Sequence, residues 1–381
     1  MSDVKIDLNN LDKSNWKTYR FDEIAKNISE RVDPNNTDLK VYIGLEHIDS
    51  ESLHIKRHGT PDDVNGTKLK FYKGDIIFGR RRAYQRKAGI ATWDGFCSAH
   101  ALVLRANPDV IDPELFPFFL HSDLFMNRAI DISVGSLSPT INWGTLKHQE
   151  FLVPPKEIQA NFIKLLSTMD CAIQKHKNTI SALKTAKKSK LKSYFSNEIE
   201  YKQIRDIGEI VTGSTPSTKK EEYWGEDFQF VTPADISDDT FYVLDTERKI
   251  TGQGLSVSRE IPADSLMVVC IASIGKLAIS QEKCGTNQQI NTIIPNDGIE
   301  VKYLYEVLEL FNELITSKAA KSVVPILNKG DFGLIKIPIL KPDLRKQLLK
   351  ETEYFDNCIQ NSTLNIKNSE QLHISILNKV F

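Results

Sequence analysis

SPTINWGTLK at residues 138–147 and VPILNKGDFG at residues 324–333 are two copies of one stretch. A single offset of 186 carries Pro139 onto Pro325, Asn142 onto Asn328, Gly144 onto Gly330 and Leu146 onto Phe332. The register persists downstream, where Phe151 falls on Ile337, Glu157 on Asp343, Ile158 on Leu344, Phe162 on Leu348 and Phe195 on Phe381. A period of this length is too long for a solenoid unit and is the size of a domain. The repeat therefore predicts two globules of one design, each followed by an appendix.

Upstream, WKTYRFDEIA (residues 16–25) and YKQIRDIGEI (residues 201–210) open the two copies. Aligning Phe21 with Ile204 and Ile24 with Ile207 gives an offset of 183, so the copies differ in length somewhere before residue 139. Insertions collect in loops, where function is varied. Between these anchors, KGDIIFG (73–79) and ADSLMVVCI (263–271) each read as a turn feeding a buried strand. Residues 98–104 and 288–294 read as later strands, and 113–131 and 301–321 as helices with apolar residues at helical spacing. Each globule is predicted to be mixed α/β (α+β).

The appendices are different in character. In the first, Phe162, Leu166, Met169, Ile173, His176, Ile180, Leu183, Lys187 and Leu191 follow steps of four and three. The second gives Leu348, Thr352, Phe355, Ile359, Ser362, Ile366, Ser369, His373, Ile376 and Val380. A period of 3.5 marks a coiled-coil seam, and polar seam residues such as His176 and Ser362 fix register at a cost in stability. A helix of about 40 residues is about 60 Å long. The expected organisation is a globule over 1–153, a long helix over 154–197, a second globule over 198–340 and a second helix over 341–381. A pseudo-two-fold repeat would pair the helices antiparallel, with a globule at each end.

The composition is that of an ordinary globular protein: 49 Lys and Arg stand against 50 Asp and Glu in 381 residues, so a broadly basic body is excluded while a local basic patch is not. The N-terminus lacks an apolar h-region and no long uncharged apolar run occurs, which predicts a cytoplasmic protein without a membrane span. The five cysteines form no CxxC pair, fitting a reduced compartment and no structural zinc. No GxGxxG or GxxxxGK[ST] occurs, so no cofactor site is expected. Asn107-Pro108-Asp109 lacks the second proline and the aromatic ring of an amino-methyltransferase box. His47, His54, His58 and His100 are not spaced as ligands on one helix face. Pro61-Asp62 and Pro342-Asp343 lack the Glu-x-Lys partner of a nuclease.

One segment is unusually basic. Residues 79–89 place Arg80, Arg81, Arg82, Arg86 and Lys87 on a short loop, with Tyr84 and Gln85 among them. The arginine fork suits phosphate oxygens and the guanine O6/N7 edge, and glutamine suits adenine N6/N7. A solvated basic hairpin tip is the bland alternative. The matching place in the second copy holds Lys276 and little other charge. The second copy's polar candidates are Ser214, Thr215, Ser217, Lys219, Lys220 and Tyr223, together with Gln288 and Gln289. The frame repeats while the polar loops differ, as expected of a protein that contacts two different things.

In its opening stretches at Trp16 and Tyr201, in GSTP (213–216), FVTPADI (230–236) and FLVPPKEIQ (151–159), and in their order twice over, the chain resembles a specificity subunit of a type I DNA restriction-modification system. The resemblance implies two target recognition domains, a helix pair that spaces them and docks partners, and no catalytic centre. It also implies double-stranded DNA as ligand, two methyltransferase subunits as partners with S-adenosylmethionine bound on them, and restriction or motor subunits joined indirectly. Phe162, Leu166, Met169, Ile173, Ile180, Leu183, Leu348, Phe355, Ile359 and Ile366 would build the spacer. IPILKPDLRKQ (337–347) departs from the first copy's FLVPPKEIQ, which leaves the second docking point less well matched. The competing class is a protein scaffold that binds no DNA, and a standalone nuclease or methyltransferase lacks its motif.

Overall fold

The computed structural model describes residues 8, 10–196, 199–237, 240–319 and 324–381. The chain forms two compact units: residues 1–179 with 362–381, and residues 180–361.

The first unit opens with β1 (Lys17–Arg20), α1 (Phe21–Ile24) and β2 (Ala25–Ile28), continuous in sequence. It continues through β3 (Arg31–Val32), β4 (Tyr42–Ile43), β5 (Lys68–Phe71), β6 (Ile76–Gly79), β7 (Ala88–Ile90), β8 (Gly95–Cys97) and β9 (Ala101–Ala106). Then come α2 (Phe116–His121), α3 (Asp123–Asp131), α4 (Trp143–Leu146) and β10 (Glu150–Val153). An antiparallel sheet runs β2-β9-β6-β7, a second runs β3-β5-β8-β4 with β4 parallel to β8, and β1 pairs β10. Phe21, Phe119, Phe125 and Phe151 stack edge-on or tilted within the core.

The first member of the long helix pair follows. α5 (Lys156–Ser193) starts after Pro154 and Pro155, which cannot continue β10 as donors. The second unit then repeats the design with β11 (Glu200–Gln203), α6 (Ile204–Ile207), β12 (Gly208–Thr212), β13 (Trp224–Val231), β14 (Lys249–Ile250), α7 (Gly252–Val257), β15 (Leu266–Val269), β16 (Leu277–Ile279), β17 (Gly285–Thr286) and β18 (Ile290–Pro295). It closes with α8 (Val301–Leu310), α9 (Glu313–Thr316), α10 (Lys329–Gly333), β19 (Lys336–Ile339) and α11 (Pro342–Val380). Its sheets are β12-β18-β15-β16, β14-β13-β17 with β13 parallel to β17, and β11 with β19.

The repeat is written in hydrogen bonds as well as in letters. Phe21 N donates to Gln149 O at 2.8 Å, and Ile204 N to Ile335 O at 3.0 Å. Asn107 donates its backbone N to Ile24 O and its side chain to Glu23 O, and Asn296 does the same to Ile207 O and Asp206 O. Asn107 is therefore a structural clamp in the first unit.

Both helices over 113–131 and 301–321 are shorter than their periodicity suggests. The first breaks at Ser122, which is extended and caps α3 by accepting from Phe125 N, as serine favours. The second stops at Phe311, where Asn312 turns its side chain to donate to Gly275 O at 2.6 Å; residues 320 and 321 lie outside the described residues. The strands expected over 98–104 and 288–294 begin two or three residues later, because 98–100 and 287–289 form turns closed by Ala101 N to Ser98 O and Ile290 N to Asn287 O.

The long helices follow the 3.5-residue seam, and every seam position is buried or half-buried. In the first unit Phe162 and Leu166 share a core with Leu377, Val380 and Phe381, and Lys177 pairs Glu370 at 2.7 Å. In the second, Lys187 pairs Asp356 at 2.7 Å and Lys190 pairs Glu351 at 3.4 Å. Numbers rising along α5 against numbers falling along α11 make the pairing antiparallel within each unit. Lys187, a charge in an apolar seam, is explained by Glu306 at 2.8 Å and Asp356, with Lys302 bridging the same two carboxylates. Burial opposes the Lys187 charge, but Glu306 and Asp356 outweigh it and hold its pKa above the usual lysine value. Among the described residues, no helix is long and apolar enough to cross a membrane, and no group of three metal-ligating side chains is present.

Candidate nucleic-acid interface

The basic segment of the first unit is a turn between β6 and β7, closed by Gly79 N donating to Lys87 O at 2.8 Å. The 138–147 motif holds it from the side. Ile141 N donates to Arg80 O at 2.9 Å, Arg81 bridges Thr140, and Arg82 N donates to Pro139 O at 2.7 Å. Arg82 is left-handed, with φ 56°. Its Nε donates to Ser138 Oγ at 3.2 Å. The motif thus grips the turn chiefly by its backbone, with one side-chain bond through Arg82.

Those side chains divide. Arg81, Arg82 and Tyr84 are exposed at the tip, Tyr84 by 55%, and Gln85 is half-buried. Arg86 turns inward, pairing with Asp123 at 2.8 Å and Glu51 at 3.3 Å and donating to His121 O at 3.0 Å. Lys87 gives its ammonium to Leu45 O at 2.7 Å. Arg80 lines a recess beside β2 and β9. Of the run that looks uniformly basic in sequence, only the tip projects.

In the second unit the turn between β15 and β16 hangs on the same frame. Val269 N donates to Lys276 O at 2.9 Å, Leu327 N to Cys270 O at 2.8 Å and Ala272 N to Pro325 O at 3.1 Å, and Ile271 bridges Ile326. Ala272 is left-handed like Arg82, with φ 63°. Gly275 sits at φ 93° against Asn312, where a Cβ would lie 2.5 Å from the amide oxygen. The turn's one cation, Lys276, does not project, since it gives its ammonium to Ile236 O at 3.2 Å.

The second unit's polar surface lies along another edge. Gly213 N donates to Ile290 O, and a Cβ on Gly213 would lie 2.2 Å from Asn287 O, so only glycine lets this loop dock. Docking brings Thr215 onto Gln288 at 2.8 Å. Gln289 accepts from the Asn287 side chain at 2.9 Å. The Ser258 hydroxyl donates to Ser214 O at 3.0 Å, and the Trp224 indole N–H donates to Ser217 O. Lys219 and Lys220 are exposed, Lys220 lying 5.0 Å over the Tyr223 ring with its pKa raised by the hydrogen bond to that hydroxyl. Arg248, stacked 3.6 Å over Trp224, extends the same edge. Nothing in the local sequence marks it, because Trp224 opens β13 whereas Arg248 lies just before β14.

The spacer positions point into the cores and seams. Phe162, Leu166, Ile173 and Leu348 are buried, while Met169, Ile180, Leu183, Phe355, Ile359 and Ile366 are half-buried.

A scaffold built twice, with its backbone clamps shared between copies and its projecting polar groups exchanged, defines a duplicated recognition protein. The profile of the type I restriction modification DNA specificity domain matches residues 13–185 and again 196–370, so the chain belongs to that family as its specificity subunit rather than a catalytic one. It is 34% identical over 167 residues to the type I restriction enzyme MjaIX specificity subunit of Methanocaldococcus jannaschii, spanning 42% of this chain and 39% of that protein. It is 22% identical to the HindI specificity subunit of Haemophilus influenzae over 94% of this chain and 97% of that one. The crystal structure of a type I system S subunit from M. genitalium shares the fold, with a TM-score of 0.56 at 16% identity over 96% of each chain.

Proposed function

We propose that the chain reads an asymmetric, bipartite sequence in double-stranded DNA, one half with each unit, and carries two methyltransferase subunits that act on what it has read. S-adenosylmethionine belongs to those partners, and restriction or motor subunits join through them. The observation that carries this reading is the shared clamp of Pro139 and Pro325 on turns with different projecting groups. Base contacts specify while phosphate contacts position, so a fixed frame with exchanged tips suits two unlike half-sites. In the first unit Arg81, Arg82 and Tyr84 enter a groove; in the second, Thr215, Gln288 and Lys220 do so. Adenine methylation within a duplex requires the base to leave the stack, which the partners accomplish.

The test is methylation-motif sequencing in cells that carry the chain with its modification partners. An Arg81→Ala, Arg82→Ala double variant is expected to relax or abolish one half of the motif, and a Thr215→Ala, Gln288→Ala double variant the other. If both variants alter the same half, or neither alters any, the two-reader assignment fails. The absence of salt-dependent duplex binding would favour a protein scaffold instead, since phosphate contacts impose a steep salt slope.

A further inference from the structure

The first unit holds a recess of about 360 Å³ lined by Asn27, Arg31, Thr67, Lys68 and Arg80, with Leu102 on its apolar side. Three of its lining residues are cations and none is a carboxylate. Lys68 donates to the carbonyls of Asn65 and Gly66, which fixes its ammonium at the rim. Two polar atoms in the wall, Arg80 Nε and Asn27 Oδ1, are buried without a hydrogen-bond partner. A buried donor or acceptor left unpaired costs free energy, so such atoms mark a place where a polar partner belongs.

At the equivalent strand ends of the second unit the space is taken up from within. By strand register Ser29 corresponds to Thr212, Leu102 to Asn291 and Arg80 to Cys270. There Thr212 and Asn291 bond each other at 2.6 Å, Arg259 gives its guanidinium to Thr212 O, and Cys270 is buried. The place filled by internal bonds in one unit stands open and cationic in the other.

We infer that this recess takes a backbone phosphate of bound DNA, gripped by Arg31, Lys68 and Arg80, so that Arg80 positions the duplex while Arg81 and Arg82 read it. The inference rests on the DNA reading proposed above. Shape decides between backbone and base: a duplex presents its phosphates as convex ridges and its base edges at the floor of a groove. A concave wall therefore fits the ridge, and a projecting tip fits the groove. Arg80 Nε and Asn27 Oδ1 are both sealed in the free chain, so binding turns the side chains: Arg80 swings its Nε–H toward the phosphate, and Asn27 offers its NH2 end after a half-turn of the carboxamide. Successive arginines on one strand end alternate in direction, which sends Arg80 and Arg81 to different parts of the DNA.

The experiment is fluorescence anisotropy of a labelled mixed-sequence duplex with the full-length chain across a salt series, using Arg31→Gln and Arg80→Gln singly and Arg80→Lys as the charge-keeping control. Removing one of the three cations on this phosphate is expected to shrink the slope of log K against log salt in each glutamine variant by part of the about 0.9 that one neutralised phosphate contributes. Arg80→Lys should keep the slope, and the methylated motif should stay unchanged in all three. Arg31 is exposed, so its variant decides the matter even where Arg80→Gln fails to fold. An unchanged slope overturns the phosphate assignment while leaving DNA reading intact, as does a changed motif, which would make Arg80 a base reader. No duplex binding by the unaltered chain would overturn the DNA reading and this inference together.

Discussion

The turn after β6 and the turn after β15 are held by matching backbone bonds, yet one projects two arginines and a tyrosine while the other projects an alanine and a serine. Pro139 and Pro325 accept from the same place in each turn, and Lys87 and Lys276 each cap a carbonyl of a neighbouring loop. The difference teaches that the projecting side chains can be exchanged while the main-chain frame beneath them is kept. Backbone bonds are indifferent to residue type, apart from the left-handed position that both turns share.

The largest expected effects would come from breaking the frame itself. Leu146 and Phe332 are equivalent and fully buried; truncating Phe332→Ala is expected to cost about 3–5 kcal/mol and Leu146→Ala about 2–5 kcal/mol. Chemical denaturation followed by fluorescence measures both, and a negligible loss in either unit would show that the two copies are not held alike.

Next in size is an exchange of tips. Replacing residues 80–85 with residues 270–274 should leave the fold in place, because Arg86 keeps its partners and the other clamping groups are mainly main-chain atoms. Recognition of one half-site should weaken by about 1–3 kcal/mol for each base that the tip no longer reads, with the other half untouched. Motif sequencing together with a thermal melt reads this, and collapse of the melt would mean that side chains hold the turn after all.

Acid should separate the units further. His121 is half-buried at the end of α2 and donates to Ala88 O at 2.7 Å; desolvation, with the Arg86 charge beside it, pushes its pKa down to about 4 against that hydrogen bond. The folded pKa lies below the ordinary 6.5, so the unfolded chain binds the proton first. The stability that His121 contributes is present above pH 6.5 and lost as the pH falls toward 4. A lower unfolding midpoint at pH 5 than at pH 7 is expected in the unaltered chain, and His121→Gln should flatten the difference; an equal fall in the variant would assign acid sensitivity elsewhere. Lys187 in the second unit behaves oppositely. Its pKa is raised, so its contribution holds throughout the acid range and fails only above the ordinary lysine range.

The smallest effect concerns the shared left-handed position. Ala272→Gly relieves a Cβ at φ 63° and is expected to be neutral or stabilising by up to about 1 kcal/mol. Arg82→Gly should relieve the same strain while removing a reading group. A destabilised Ala272→Gly protein, seen in the same denaturation assay, would show that the frame tolerates this angle for another reason.

The sequence repeat made the architecture legible because the frame residues are local: Asn142 and Asn328, Leu146 and Phe332, and the two seams all follow from spacing. The helix breaks at Ser122 and Asn312 were harder to see, since apolar periodicity runs straight through them and the interruption comes from a cap and from a distant turn. The candidate site was legible only in part. Arg80 to Lys87 read as one patch, but Arg86 meets Glu51 and Asp123, and Lys87 meets Leu45, partners that lie some 35 residues or more away along the chain. Whether a basic side chain projects depends on such long-range partners, which composition does not encode. Lys68 stood out only as one of three lysines that precede the arginine run, and Arg31 gave no signal, because the pairing of separate strands is what brings both to Arg80.

The second unit is a continuous piece of chain, whereas the first draws residues 362–381 into its core, with Asn378 bonded to Asp123 across 255 positions. A ribosome therefore makes nearly all of the first unit early and must then finish the second before Leu377, Val380 and Phe381 become available. Pairings so far apart in sequence are slow to form, because the intervening loop must be closed before they are rewarded. Of the two units, the one synthesised earlier is thus the one completed later. During that interval, the aromatic wall of Phe118 and Phe119 waits uncovered for its lid, and chaperone capture and premature truncation would strike this unit in preference to the other.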